Sequence, residues 1–218
     1  MDIKTDITYI YNNIANDFSR TRYKIWPCVS HFLSTFEQYS SILDIGCGNG
    51  KNMLYPNLKF TGIDISQELV NICNSNNLNV IQGDMTSLPF LDNSFDGFIT
   101  IASYHHLNND CDRMKTLKEM YRVIKPNGYG LLTVWAMEQC DQEGLIIDKN
   151  ISRFHFTKSD EFVKWIDKKS GKTYYRYYHI YSQNQLQNEI QKLCPQFHIC
   201  SCKWEKGNWC ITLQKLII

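Results

Sequence analysis

Ile42-Leu43-Asp44-Ile45-Gly46-Cys47-Gly48-Asn49-Gly50 is a short apolar strand that reaches an acid and breaks into a glycine loop. The next strand, Lys59-Phe60-Thr61-Gly62-Ile63-Asp64, also ends in an acid. Glycine permits positive φ and lets backbone approach a ligand closely. A carboxylate at the end of the second strand can accept both hydroxyls of a ribose. Together they describe a nucleotide-type pocket at one sheet edge. A tight βα turn without a ligand is the plainer reading of the loop alone.

The glycine spacing narrows the ligand. The loop is Gly-x-Gly-x-Gly, and no Gly-Lys-Ser/Thr follows it. A phosphate cradle uses backbone N–H groups at the start of a full helix. Here only Lys51-Asn52-Met53-Leu54 precedes Tyr55-Pro56, and the residue before a proline is pushed off helical geometry. A crossover that contains a proper helix takes about a dozen residues or more. The sequence therefore predicts a stub of helix and a ligand without a pyrophosphate.

Outward from the loop, strands and helices alternate. Ile7, Ile10, Tyr11, Ile14 and Phe18 recur at helical spacing from Asp6 to Phe18. A second helix starts at Trp26-Pro27, where proline suits the first turn. Strand one is Ser41 to Ile45, and strand two ends at Asp64. Ser66 caps the next helix. Strand three is Leu78 to Gln82, strand four is Phe95 to Ile101, and a helix covers Cys111 to Ile124. Lys125-Pro126-Asn127-Gly128 reads as a turn into strand five, Gly130 to Trp135. Such alternation argues for an α/β fold, an open and mostly parallel sheet with helices on both faces. Its ligands bind at the carboxyl ends of the strands. From Cys140 to Lys172 the pattern fades into a long loop or insert, with local helix expected around Glu161 to Asp167. A helix is expected from Ser182 to Leu193, and a hairpin, Phe197 to Trp204 and Trp209 to Leu216, turns at Lys206-Gly207-Asn208.

The bulk numbers set limits. At 218 residues the chain is expected to form one domain with a full core. A net charge of +1 demands no nucleic-acid partner, so any such contact must be local. No apolar run is long enough to span a bilayer, and Met1-Asp2-Ile3-Lys4-Thr5-Asp6 lacks the layout of a signal peptide. The nine cysteines include no Cys-x-x-Cys pair. A cytoplasmic, metal-free protein with reduced core cysteines is the simplest expectation.

Five features together resemble the class I S-adenosylmethionine-dependent methyltransferases. They are Leu43-Asp44-Ile45-Gly46-Cys47-Gly48-Asn49-Gly50, Gly62-Ile63-Asp64, Gly83-Asp84, Leu88-Pro89-Phe90 with Ser94-Phe95-Asp96, and Lys125-Pro126-Asn127-Gly128. The resemblance implies a Rossmann-like three-layer sandwich of seven strands, with an antiparallel terminal hairpin. A narrower set is similar to the eukaryotic tRNA wobble-uridine carboxymethyl methyltransferases. It comprises Tyr11-Asn12-Asn13-Ile14-Ala15, Phe18-Ser19-Arg20-Thr21-Arg22-Tyr23-Lys24, Trp26-Pro27, Ile99 to His106, Trp135 to Gln139, Arg176-Tyr177-Tyr178-His179 and Gly207-Asn208-Trp209-Cys210. The basic insert that some members carry before the Arg-Tyr-Tyr-His segment is mostly absent. The Lys158, Lys164, Lys168, Lys169 and Lys172 stretch stands in its place.

The resemblance implies roles for residues. Asp64, with Ile65 beside it, would take the donor's ribose, and Asp84 would accept the adenine amine next to the Met85 backbone. Gly46, Cys47, Gly48, Asn49 and Gly50 would wrap the donor. Asp44 would hold the loop or the methionine amine. Ile101 and Ala102 would line the methionine end, and Tyr11 would close over it from helices 1–38. The implied acceptor is the carboxylate of carboxymethyluridine in a tRNA anticodon loop. Arg22 would clamp that carboxylate, since its fork fixes a geometry that lysine cannot. His106 is favoured over His105 to face the acceptor, and Trp135 would wall or stack on the base. Arg20 and Lys24 would touch phosphates. The Tyr174–Tyr181 run, with Arg176, Tyr178 and His179, suits either single-stranded RNA or an ordinary two-faced strand. A small zinc-binding activator protein is the implied partner; neither DNA nor a membrane is. A small-molecule methyltransferase of quinone or lipid type and a silent donor-binding scaffold are the competing functions. The first would not explain Phe18 to Trp26 or Arg176 to His179, and the second has no reason to keep an intact loop with Asp64 and Asp84.

Overall fold

The computed structural model describes residues 3–139 and 156–217, with side chains from residue 7 onward. Helix α1 (Ile3–Arg20) places Ile7, Ile10, Tyr11, Ile14 and Ala15 on one buried face. That face packs on Leu69 and Tyr174. A short α2 (Pro27–Leu33) begins at its proline, which needs no N–H in a first turn. Its Val29, Phe32 and Leu33 cover one face of the sheet at Ile42, Ile99 and Leu131.

The sheet is built from β1 (Ser41–Ile45), β2 (Lys59–Asp64), β3 (Val80–Gln82), β4 (Phe95–Ile101), β5 (Ile124–Trp135), β8 (Phe197–Glu205) and β9 (Asn208–Lys215). The spatial order is β3-β2-β1-β4-β5-β9-β8. Strands β1 to β5 run parallel, and β9 pairs antiparallel with both β5 and β8. Helix α3 (Gln67–Ser75) follows β2 and packs near β3, while α4 (Asp110–Val123) and α5 (Gln185–Leu193) cover the other face through Leu117, Met120, Leu186 and Ile190. The expected seven-stranded three-layer sandwich is present. Chain order reverses between β1 and β4, which opens the crevice at the strands' carboxyl ends.

Local expectations mostly hold. The residues after the glycine loop form only a 3₁₀ turn, Lys51–Leu54. Ser66 accepts the Leu69 N–H as an N-cap. Lys206 and Gly207 both adopt positive φ, the geometry of a tight hairpin. Two expectations need correcting. Lys125-Pro126-Asn127-Gly128 is not a free turn: β5 already starts at Ile124, and these residues bulge out where pairing jumps from Phe95↔Ile124 to Gly97↔Tyr129. The local helix expected at Glu161 to Asp167 is instead strand β6 (Asp160–Ile166), paired antiparallel with β7 (Thr173–His179). The earlier part of the expected loop, residues 140–155, lies outside the described residues.

Gly97 sits in the central strand β4, where a Cβ would lie 2.4 Å from the Phe36 ring and 2.8 Å from the Tyr129 carbonyl oxygen. The backbone oxygen cannot swing away. Gly97→Ala should therefore cost about 1–3 kcal/mol, as overpacking does, and lower the melting temperature by several degrees. Thermal and urea unfolding would check this, and an unchanged midpoint would refute the packing argument.

Candidate active site

A cavity of about 740 Å³ opens where β1, β2 and β4 end. Its floor is the glycine loop. Gly46, Gly48 and Gly50 have φ of 70°, 59° and 73°, a region that residues with side chains adopt uncommonly. A Cβ on Gly46 would also meet Ser103 at 2.5 Å. Asp64 holds the loop from the side. One carboxylate oxygen accepts the Gly48 N–H at 2.8 Å, and the other accepts the Ser66 N–H at 2.9 Å. Burial still raises the Asp64 pKa against these donors. Gly46, Cys47, Gly48, Asn49, Asp64, Ile65, Asp84, Met85, Ile101 and Ala102 all line the cavity, as expected. Asp84 spends one oxygen on the Thr86 N–H and hydroxyl. Ala102, at the end of β4, is held at φ 53°, an uncommon strain for a residue with a Cβ.

Two residues of the loop set stand behind the wall. Gly50 faces Leu78 and Cys73. Asp44 is fully buried, and neither of its oxygens has a hydrogen-bond partner among the described residues. Burial pushes its pKa up to about 7, against the pull of the Asn52 side chain. Asn52, also buried, does reach the cavity.

The opposite wall comes from α1, the Thr21–Pro27 segment, β7 and the Tyr104–His106 3₁₀ turn after β4. Tyr11 donates its hydroxyl to His106 Nε2 at 2.9 Å, while His106 Nδ1 lies 2.7 Å from the Tyr177 carbonyl. A carbonyl only accepts, so Nδ1 carries the proton and Nε2 is the acceptor. Burial drives the His106 pKa down to about 3, which keeps the ring neutral. His106 faces the cavity. His105 does not: it is fully buried behind its neighbour, with Nδ1 accepting the Trp135 N–H at 3.2 Å. Trp135 stacks on Tyr178 at 4.4 Å and 25°, and both rings line the cavity.

Arg22 lies on this wall with its guanidinium 4.7 Å from the Phe18 ring centroid and 5.9 Å from Trp165. Burial lowers its pKa. Lys51 lies on the same cavity, 5.1 Å from the Trp26 ring. Burial, then repulsion from Arg22, brings its pKa down to about 8. Among the described residues neither cation forms an ion pair. Sequence reasoning missed Lys51, because a lysine after a glycine loop reads as solvated. Its place on a stub turn, with no helix to carry it outward, was the available signal.

Other expected contacts fall elsewhere. Lys24 is exposed at the cavity rim, and Arg20 is exposed and paired with Asp17 at 3.2 Å. Arg176 is only 4% exposed, sandwiched between Trp165 and Tyr178. His179 is buried, with Asp160 at 2.8 Å and Gln185 at 3.0 Å. Tyr174, Tyr177, Tyr178 and Tyr181 are buried as well, so of this run only Tyr175 faces outward. The segment is a two-faced strand, and Arg176 and His179 are not on its exposed surface.

Comparison with known proteins accounts for this arrangement. The family described as "Methyltransferase domain" matches residues 43–132. The tRNA (carboxymethyluridine(34)-5-O)-methyltransferase of Schizosaccharomyces pombe is 32% identical over 99% of this chain and 100% of its own. The Arabidopsis thaliana protein of the same name is 44% identical over 61% of this chain. The matches span 33% of the Arabidopsis relative and 40% of a Xenopus tropicalis one, so parts of those proteins have no counterpart here. Two solved structures share the fold. A SAM-dependent methyltransferase from Methanosarcina mazei has a TM-score of 0.68 at 22% identity, over 89% of this chain and 100% of that one. The Haloferax volcanii methyltransferase in complex with the Trm112 methyltransferase activator has a TM-score of 0.67 at 16% identity, over 97% of this chain and 95% of that one. The donor implied by the fold is S-adenosylmethionine, and the glycine loop, the Asp64 carboxylate and the Asp84–Met85 corner fit its ribose and adenine. This chain belongs to the tRNA (carboxymethyluridine(34)-5-O)-methyltransferase family of S-adenosylmethionine-dependent methyltransferases.

Proposed function

We propose that this protein converts the carboxylate of carboxymethyluridine, at the tRNA wobble position, into its methyl ester. The observation that carries the reading is the pair of cavity-facing cations, Arg22 and Lys51, left without acidic partners among the described residues of a chain of this family. Donor and acceptor each bring a carboxylate, so the cavity must neutralise two anions. Arg22, at the aromatic wall, would grip the non-attacking oxygen of the acceptor. Lys51, beside the glycine loop, would take the methionine carboxylate of the donor. S-adenosylmethionine supplies a methyl group activated on a sulfonium.

The acceptor needs no general base, since a free carboxylate has a pKa of about 4 and is ionised at neutral pH. The task is alignment, which supplies several kcal/mol of a barrier. The neutral His106 suits that task. It fixes the Tyr11 hydroxyl, and with it the lid helix α1, over the bound groups. The Trp135–Tyr178 stack gives a flat wall for the uracil. A small zinc-binding activator of the Trm112 kind remains the proposed partner. The Haloferax complex and the open sheet edge at β3, where Ile81 is 37% exposed, support it. A cytoplasmic setting is supported by the free thiols of Cys28, Cys47, Cys73, Cys111, Cys194, Cys200, Cys202 and Cys210. No described helix is long and apolar enough to cross a membrane.

The reaction is tested by supplying labelled S-adenosylmethionine and tRNA that lacks the ester, with and without the activator, then digesting to nucleosides. Alkali-labile label in one modified uridine is expected. Label only in small molecules would refute the reading. Arg22→Ala should lower methyl transfer at least a hundredfold while S-adenosylhomocysteine affinity changes less than threefold. Asp64→Ala should lower that affinity tenfold or more. Equal loss of donor binding in both would remove the role of Arg22.

Lys51→Met should weaken S-adenosylhomocysteine about tenfold, yet leave 5′-methylthioadenosine, which lacks the amino-acid arm, unaffected in calorimetry. Wild-type affinity for S-adenosylhomocysteine should fall as pH rises through about 8, where Lys51 loses its proton. Parallel losses for both ligands would show that Lys51 only shapes the loop.

The folded His106 pKa, about 3, lies below the ordinary value of 6.5. Between these values the unfolded chain holds more protons, so stability rises with pH there. The contribution is complete above about 6.5 and disappears as pH falls to about 3. His106→Asn should flatten the pH dependence of urea unfolding across that window, and an unaltered slope would mean that the imidazole is not held neutral.

A further inference from the structure

The β6–β7 ribbon has two faces of different character. Residues opposite each other across a strand pair share a face. The register pairs Val163 with Arg176 and Trp165 with Tyr174, and these side chains point inward onto α1 and the cavity wall. It also pairs Lys164 with Tyr175 and Ile166 with Thr173, with Phe162 next along β6, and these point outward. Phe162 is 61% exposed, Ile166 53% and Tyr175 57%. The solvent face of an antiparallel pair is normally polar. Tyr177 and His179 bury one end of this face, with Phe162 edge-on against Tyr177; beyond them, large exposed rings flank a lysine.

Exposed lysines outnumber the acids Asp160 and Asp167 around that face. Lys158, Lys164, Lys168 and Lys169 are all exposed, on a chain whose net charge is only +1. Two of the neighbouring acids make hydrogen bonds within the protein. Asp160 binds the Tyr177 hydroxyl and His179, Asp167 accepts from Ser170, and Glu161 sits on the inward side opposite Tyr178. Lys172 is also engaged, donating to the Tyr9 hydroxyl at 3.1 Å, which ties the ribbon's turn to α1. A protein partner is a poor fit, because lysine is depleted from the cores of protein interfaces. Rings interleaved with unpaired lysines match single-stranded nucleic acid, whose bases stack and whose phosphates take the cations.

Position gives the second argument. The ribbon is one strand thick. Trp165, on its inner face, packs 6.1 Å from Phe18 and 5.9 Å from the Arg22 guanidinium, both on the cavity wall. A nucleotide chain that sends one base into the cavity therefore has this outer face beside it. Arg176 and His179 of the tyrosine run are interior and unable to meet a phosphate.

We infer that the outer face of the β6–β7 ribbon is the platform for the anticodon-loop nucleotides that flank the acceptor. Phe162 and Tyr175 stack on bases, and Lys164, Lys168 and Lys169 contact phosphates. This rests on the tRNA reading above. The test uses the full chain with the activator present, an anticodon stem-loop RNA carrying carboxymethyluridine, and fluorescence anisotropy over a range of salt. Phe162→Ala with Tyr175→Ala should weaken RNA binding at least tenfold. Lys164→Ala, Lys168→Ala and Lys169→Ala together should lower the slope of log affinity against log salt by about 2. Both variants should raise KM for RNA and leave S-adenosylhomocysteine affinity unchanged, which also reports that they are folded. RNA affinity and KM at wild-type values would overturn the platform while leaving the methyl-transfer reading intact. Failure of the wild-type protein to bind or methylate the RNA would overturn both.

Discussion

A single buried carboxylate joins the parts of this site. Asp64 accepts the N–H of Gly48 from the loop after β1 and the N–H of Ser66 from the start of α3. Bonds from backbone donors to an ionised acceptor are among the stronger ones in a protein. They hold a loop whose three glycines have no side chains to fix them. The chain of contacts continues. The Ser66 hydroxyl meets the Asn12 side chain of α1 at 2.7 Å, so the helix over the cavity is tied through Ser66 to the carboxylate proposed to take the donor's ribose. Each Asp64 oxygen retains a lone pair for a ligand. With the donor role proposed for Asp64, loop order and donor recognition would be properties of one side chain.

Much of this was legible in the sequence because it depends on short-range rules. An acid at a strand end, a glycine loop and a proline that aborts the crossover helix dictate β1, β2 and the 3₁₀ stub. The failures have physical causes. Phe162, Trp165 and Ile166 stand at i, i+3 and i+4, a helical spacing, so β6 was masked by its own composition. Phe162 and Ile166 are exposed and Trp165 is inward; the apparent helix stripe combines two faces of a strand. A strand that keeps apolar residues on its solvent side breaks the local pattern, and such breaks tend to sit at functional surfaces. The Arg176 to His179 segment misled in the opposite direction. Polar residues in a run of tyrosines suggest a surface, yet the alternation places Arg176 against α1 and His179 among Asp160 and Gln185.

The wall facing the donor loop is made for orientation more than for proton transfer. Tyr177 carbonyl, His106 and Tyr11 form one directed chain of hydrogen bonds, and the imidazole at its centre stays neutral over the physiological range. Around it, His105, Trp135 and Tyr178 pack ring to ring, with centroids 4.4 to 5.8 Å apart. Rings locked by their neighbours lose little entropy when a flat base slides against them. That construction matches an acceptor that arrives already ionised and needs only to be held in line.

Arg22 and Lys51 line the cavity along with Asp64 and Asp84, and Arg176, behind the wall, has aromatic faces and the Tyr11 hydroxyl about it, with its Nε unpartnered among the described residues. Asp44, the buried acid nearest Lys51, has its pKa raised to about 7 and is half neutral there. Holding charge away from water without a counter-ion is costly, and the cost is recovered only when an opposite charge arrives. In a partly dry pocket that recovery is larger than at a surface, because attraction grows as the effective dielectric falls. On the role proposed for Arg22, a neutral acceptor of the same shape would leave that guanidinium uncompensated, which would disfavour it against a carboxylate.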